Sequence, residues 1–111
     1  MLNGIKNCVF INSSVEDFLK GKKRMSITKY LGGAGFDFVL IDPPRPGLTS
    51  ECLKGVLDIG SKHIVYISCN PATLARDVRK MLDKYNLESL YMADFFPNTY
   101  HIEAIAFLGL K

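Results

Sequence analysis

Cys69 is the residue of this sequence best placed for covalent chemistry. It follows the apolar run Ile64-Val65-Tyr66-Ile67 and Ser68, and it precedes Asn70-Pro71, a pair suited to opening a helix. A thiol between a strand end and a helix N-terminus meets free backbone N–H groups and the positive end of the helix dipole. Both favour the thiolate, which is the reactive form. Asp42-Pro43-Pro44-Arg45 sets a carboxylate and a guanidinium at the end of another apolar run, Phe36 to Ile41. If the two runs are parallel neighbours, this pair lies on the same sheet edge as Cys69, and the prolines stiffen the loop that carries it. His101 and Glu103 stand two residues apart at the start of a third run, so in a strand they share a face. A carboxylate beside a cysteine there can accept a proton. The plainer alternatives are an Asp that caps a turn with Arg45 on the surface, and a His101/Glu103 pair that only faces water.

These side chains need elements to position them. Val9 to Ile11 is a short strand-like run, and Ser13 followed by Glu16 has the form of a capping box ahead of Phe18 and Leu19. From Lys20 to Gly35 a basic run gives way to Gly32-Gly33-Ala34-Gly35, which reads as a solvated connection with a helical turn or two. The glycines lack the Lys-Ser/Thr of a phosphate loop and precede a strand, so they form a turn. Phe36 to Ile41 has the character of a buried parallel strand. Thr49 or Ser50 caps a helix whose face is Cys52, Leu53, Val56 and Leu57, with Gly60 as its stop. His63 to Ser68 is the next buried strand, and the helix opened by Asn70-Pro71 shows Leu74, Val78, Met81 or Leu82, and Tyr85 at helical spacing. Two strands close the chain, Ser89 to Asp94 and Ile102 to Leu108, joined by Phe96-Pro97-Asn98-Thr99. Short strands alternating with helices predict an α/β domain spanning 1–111, a mostly parallel sheet ending in an antiparallel hairpin.

Composition sets bounds on function. With 111 residues, 48% hydrophobic and 23% charged, the chain can build a core and is not of disordered type. No apolar run is long enough for a membrane span, and Lys6 and Asn7 interrupt any leader-like stretch, so a cytoplasmic location is expected. Three cysteines at wide, irregular spacing fit neither a disulfide framework nor a zinc site, and no metal is expected. Cys8 and Cys52 read as small core residues. The net charge of +3 suits a polyanionic partner but is a small excess.

Three segments, Asp42-Pro-Pro-Arg-Pro-Gly-Leu48, Tyr66-Ile-Ser-Cys-Asn-Pro-Ala-Thr-Leu-Ala-Arg-Asp77 and Asp94-Phe-Phe-Pro-Asn-Thr-Tyr-His-Ile-Glu103, closely resemble the signatures of the RNA uracil-5-methyltransferase family. Asn3 to Asn7 and Glu16 to Leu19 also look like that family, so the resemblance runs over nearly the whole chain. It implies the C-terminal catalytic part of a Rossmann-like class I methyltransferase fold without its first two strands. It further implies S-adenosyl-L-methionine as methyl donor, RNA as substrate, Cys69 as nucleophile and Glu103 as base. By the same resemblance Asp42 lies between cofactor and uracil and contacts one or the other, while Arg45, Thr99 and His101 belong to the substrate side. Ser14 stands where the family usually has an acidic residue, which makes it the candidate for a cofactor contact. The related Asp/Asn-Pro-Pro motif of amino-methylating enzymes continues with an aromatic residue, and here Arg45 follows. The family's glycine-rich cofactor loop and RNA-binding barrel have no counterpart in these residues, so self-association or a further N-terminal half is the expected complement. The alternative from a different class is a non-catalytic fragment or RNA-binding module that keeps the site residues without turnover.

Overall fold

A computed structural model describes Gly4 and residues 7–20, 35–94 and 102–111. The elements are α1 (Val15–Lys20), β1 (Phe38–Ile41), α2 (Ser50–Ile59), β2 (His63–Ser68), α3 (Pro71–Met81), β3 (Tyr85–Ala93) and β4 (Glu103–Leu110). The four strands form one sheet in the order β1-β2-β4-β3. Only β1 and β2 are parallel; β2 with β4 and β3 with β4 are antiparallel. The sheet is thus mixed among the described residues, not mostly parallel as the alternation of elements had predicted, because the closing hairpin inserts its second strand next to β2.

Side-chain parity divides the sheet into two unlike faces. Residues directly opposite across a ladder point the same way, so Ile64, Tyr66 and Ser68 share a face with Leu108, Ala106 and Ala104. All six are buried. They meet Leu53 and Val56 of α2 and Leu74, Val78 and Met81 of α3 in one core. On the other face Phe38 stacks on His63 at 5.0 Å, and Tyr91 meets Phe107 edge-on at 5.9 Å. There Phe38 remains 64% exposed and Leu40 66%. β1 is therefore half-open, where its continuous apolar run had predicted a fully buried strand: β2 covers one of its edges, and no described element lies over this face.

The helices follow their local signals. Thr49 Oγ1 accepts the Cys52 N–H at 3.1 Å to start α2, and Gly60, whose N–H reaches the Leu57 carbonyl at 3.2 Å, ends it. α1 packs on α2 at Gly55, where any added Cβ would sit 2.7 Å from the Leu19 Cβ. The cap of α1 is Ser14, whose Oγ accepts the Asp17 N–H at 3.1 Å, one residue later than the Ser13 of the expected capping box. Ser13 instead turns its hydroxyl onto the Ser14 carbonyl at 2.8 Å.

Further expectations are corrected. Val9 to Ile11 forms no strand, and Val9 and Phe10 are 57% and 78% exposed. A β-prone trio gains no ladder hydrogen bonds without a neighbouring strand, and none of the described strands lies beside it. Cys8 is exposed on the same segment and is no core residue. Tyr85 belongs to β3, not to the face of α3: the helix closes at Leu82, and Lys84 N–H turns back to the Met81 carbonyl at 3.1 Å. β3 thus starts before the expected Ser89 and carries a register shift between Leu87 and Ser89. That bulge hides its period-2 pattern from the sequence. The basic and glycine-rich stretch at 21–34 and the Phe96 to Thr99 connection lie outside the described residues.

Candidate active site

The sheet order brings the sequence-predicted groups to one edge. β1 and β2 run parallel, so Asp42 and Cys69 leave from the same end, and β4, running the opposite way, begins there with Glu103. The last registered pair between β2 and β4 is Ser68 with Ala104. The ladder stops there: Cys69 leaves β2 as a bend and Glu103 is the residue before Ala104, so both stand at the same end of the β2–β4 pair. Both residues are half-buried, and Cys69 is a free thiol.

The backbone around Cys69 is held from both sides. Ser68 Oγ accepts the Asn70 N–H at 2.9 Å and donates to the Asn70 carbonyl at 2.9 Å, closing a tight bracket about Cys69. Asn70 Oδ1 accepts the Ala72 N–H at 3.1 Å, and Pro71 fills the first turn, so α3 begins immediately after the thiol. For Cys52, burial first, then nearby acidic charge, pushes the thiol pKa up. It packs as a small hydrophobe.

Asp42 and Arg45 are exposed on the loop after β1. The Arg45 carbonyl accepts from Thr73 Oγ1 at 3.1 Å and from Asn70 Nδ2 at 3.4 Å, which fastens the loop to the first turn of α3. Its far end is held by Arg76, whose Nη2 donates to the Pro46 carbonyl at 2.9 Å and the Leu48 carbonyl at 3.4 Å. Asp77 completes the attachment, with Oδ2 accepting the Leu48 N–H at 2.9 Å.

Ser14 and Asp42, the two candidate cofactor contacts, line a common cleft of about 770 Å³ with Glu16, Phe38, Leu40 and Thr49. Cys69, Arg45 and Glu103 are not among its walls, so the described groups fall into a cleft on the α1/β1 side, which Asp42 joins, and an edge on the α3/β4 side that carries Cys69 and Glu103. Thr99 and His101 lie outside the described residues. No group of three or more His, Cys, Asp or Glu among the described residues is arranged to hold a metal ion. Ser68, Thr73, Arg76 and Asp77 were not singled out by sequence reasoning. All four lie within the family-like segment Tyr66 to Asp77, which gave them no individual role.

An α/β sheet that ends one strand on a thiol at a helix start and opens the neighbouring strand with a carboxylate at the same end defines a candidate group-transfer site. Comparison with known proteins narrows this class. The family model for tRNA (Uracil-5-)-methyltransferase matches residues 1–111, and the chain belongs to that family. It is 41% identical over 107 residues to an RNA methyltransferase of Caldanaerobacter subterraneus subsp. tengcongensis, covering 95% of this chain and 22% of that protein. An RNA methyltransferase of Listeria monocytogenes is 39% identical over 111 residues, with 98% and 22% covered. The crystal structure of Pyrococcus abyssi tRNA (uracil-54, C5)-methyltransferase in complex with S-adenosyl-L-homocysteine superposes with a TM-score of 0.59 at 49% identity, over 67% of this chain and 18% of that one. The chain thus spans about a fifth of the length of these relatives.

Proposed function

We propose that this chain carries the nucleophile and the base of an S-adenosyl-L-methionine-dependent RNA methyltransferase that converts uridine to 5-methyluridine. The observation that carries the reading is the placement of Cys69, at the start of α3 and directly after the last β2–β4 pair, with Glu103 opening β4 at the same end of the sheet. Family membership and the solved relative, described as a tRNA (uracil-54, C5)-methyltransferase, support it.

C5 of uracil is a weak nucleophile until a group adds at C6. Cys69 Sγ, as thiolate, forms the C6–S bond, and the electron pair passes to the C5–C4–O4 system as an enolate. S-adenosyl-L-methionine, when bound, supplies an electrophilic methyl group to which C5 can bond. Glu103 then takes the proton left on C5, the electrons re-form the C5–C6 double bond, and the C6–S bond breaks to return the thiolate. The target base must be unpaired or flipped out to reach a half-buried thiol. The cleft between α1 and β1 fits the donor: Phe38 and Leu40 offer an apolar wall, Ser14 a hydroxyl, and Asp42 a carboxylate for a cationic sulfonium. Ser14 and Asp42 are the residues we assign to hold it, with Asp42 and Arg45 reaching toward the RNA. No helix among the described residues is long and apolar enough to cross a membrane, and we place the activity in the cytoplasm, where its RNA substrate is found.

The test is covalent capture. RNA containing 5-fluorouridine, incubated with the chain and S-adenosyl-L-methionine, should give an adduct that survives denaturing electrophoresis, because fluorine cannot leave as a proton. Cys69→Ala should abolish it. Glu103→Gln should trap an adduct even on ordinary RNA. An adduct that persists in Cys69→Ala, or no adduct with the unaltered chain, overturns the reading.

A further inference from the structure

The carboxylate of Asp77 is wholly buried, and the chemistry above makes no use of it. It is also fully engaged. Oδ2 accepts the Tyr66 hydroxyl at 2.6 Å and the Leu48 N–H at 2.9 Å; Oδ1 accepts Arg76 Nε at 3.0 Å and lies 3.0 Å from Arg76 Nη2. These partners come from three elements: Tyr66 from β2, Arg76 from α3, Leu48 from the loop after β1. The same Arg76 reaches over to the Pro46 and Leu48 carbonyls. Gly47 lies flat against the pair. A Cβ there would stand 2.7 Å from both Arg76 Nη2 and Asp77 Oδ2, and its φ of +82° is itself a conformation that favours glycine.

A buried charge is costly, so its pairing is normally complete, and breaking one partner strands the rest. A helix that needed only to pack could have placed an apolar residue between Leu74 and Val78. This carboxylate instead sits where the loop bearing Asp42 and Arg45 meets the strand that ends on Cys69 and the helix that begins after it. We propose that Asp77 is a positioning residue for the methyl transfer: with Arg76 as its outer arm, it fixes the Pro43–Leu48 loop against α3 and so sets the distance of Arg45 and Asp42 from the Cys69 thiol. This rests on the reading of Cys69 as nucleophile, but the tether itself can be judged without it.

Two measurements on the full chain separate the parts. Amide hydrogen exchange in Asp77→Asn should show the Leu48 amide exchanging at least about tenfold faster, the loss of roughly one charge-assisted hydrogen bond, while Ala106 and Leu108 in β4 keep their protection. Equal acceleration throughout the sheet, or an unchanged Leu48, overturns the tether. Arg76→Ala, at a half-exposed side chain, serves as a second variant that spares the core and should act in the same direction more weakly. The rate of adduct formation is then followed against the concentration of 5-fluorouridine RNA, with S-adenosyl-L-methionine saturating. A loop set adrift should raise the half-saturating RNA concentration about tenfold or more. A merely less stable chain lowers the amplitude and leaves that concentration where it was, which overturns the positioning role. Absence of adduct in the unaltered chain overturns the uracil-5 reading and the catalytic purpose of the tether together, while the exchange pattern still decides whether Asp77 holds the loop.

Discussion

Tyr66 shows how a single buried polar contact shapes the behaviour of this chain. Burial, then the hydrogen bond to Asp77 and its charge, push the phenol's pKa upward from the ordinary 10.0. The unfolded chain gives up this proton near the ordinary value, and the folded chain only at higher pH. The stability it contributes is therefore full below pH 10.0 and is lost as pH rises beyond it. Tyr66→Phe should be less stable at neutral pH by about 1–3 kcal/mol, the cost of leaving the buried carboxylate one donor short. Its urea midpoint should also fall less than that of the unaltered chain between about pH 8 and about pH 11. A parallel decline in both chains would mean that the phenol does not titrate between the two states. Asn70 is a second test at this scale. Asn70→Ala should cost about 1 kcal/mol as a lost cap and, because the cap directly follows Cys69, should also slow alkylation of that thiol relative to Cys8, read by peptide mass spectrometry.

Among the elements, α1 and α2 meet with the least room to spare. Gly55→Ala forces a methyl against the Leu19 Cβ, an atom with no rotamer freedom to yield, and should destabilise the chain by about 1–3 kcal/mol. Adding Leu19→Ala should recover part of that loss, so that a double-mutant cycle gives a favourable coupling; strict additivity would show that the two helices do not touch. Both ends of α2 and the start of α3 were legible because their signals are local: a Thr or Asn cap, a proline in the first turn, a glycine stop. β2 was legible to the residue for the same reason, bounded by Gly60 and by the Ser68 to Pro71 turn. The start of β3 was not, since Tyr85 continues the helical spacing of α3 and only the return of Lys84 to Met81 shows the helix to be over. Nor was the contact between Leu48 and Asp77, which spans 29 residues, a separation at which no periodicity carries information.

Among the described residues the sheet is covered on one face. The core-side residues of β2 and β4 are buried, while the opposite face presents Phe38, Leu40 and Tyr91, each more than half exposed. An open apolar face of this kind marks a surface made for contact, and we expect the purified chain to bind an apolar fluorescent dye in its native state. Leu40→Lys should weaken that binding without lowering the unfolding midpoint, because the side chain it replaces has little to lose on exposure. Self-association would appear as a sedimentation coefficient that rises with concentration and falls back in the same variant. The α/β class could be read from the sequence, since strand ends and helix starts announce themselves. The unequal faces could not, because the run Phe38 to Ile41 is apolar on both sides and says nothing of what covers it.

The β2–β4 ladder has one more implication. Cys69 and Glu103 stand at the same end of the sheet in the register that pairs Ser68 with Ala104. A slip of a single residue would turn the carboxylate to the other side of the sheet and carry Ala104, Ala106 and Leu108 out of the core with it. In the proposed enzyme, closing the core and aligning the reactive strand ends are thus one event.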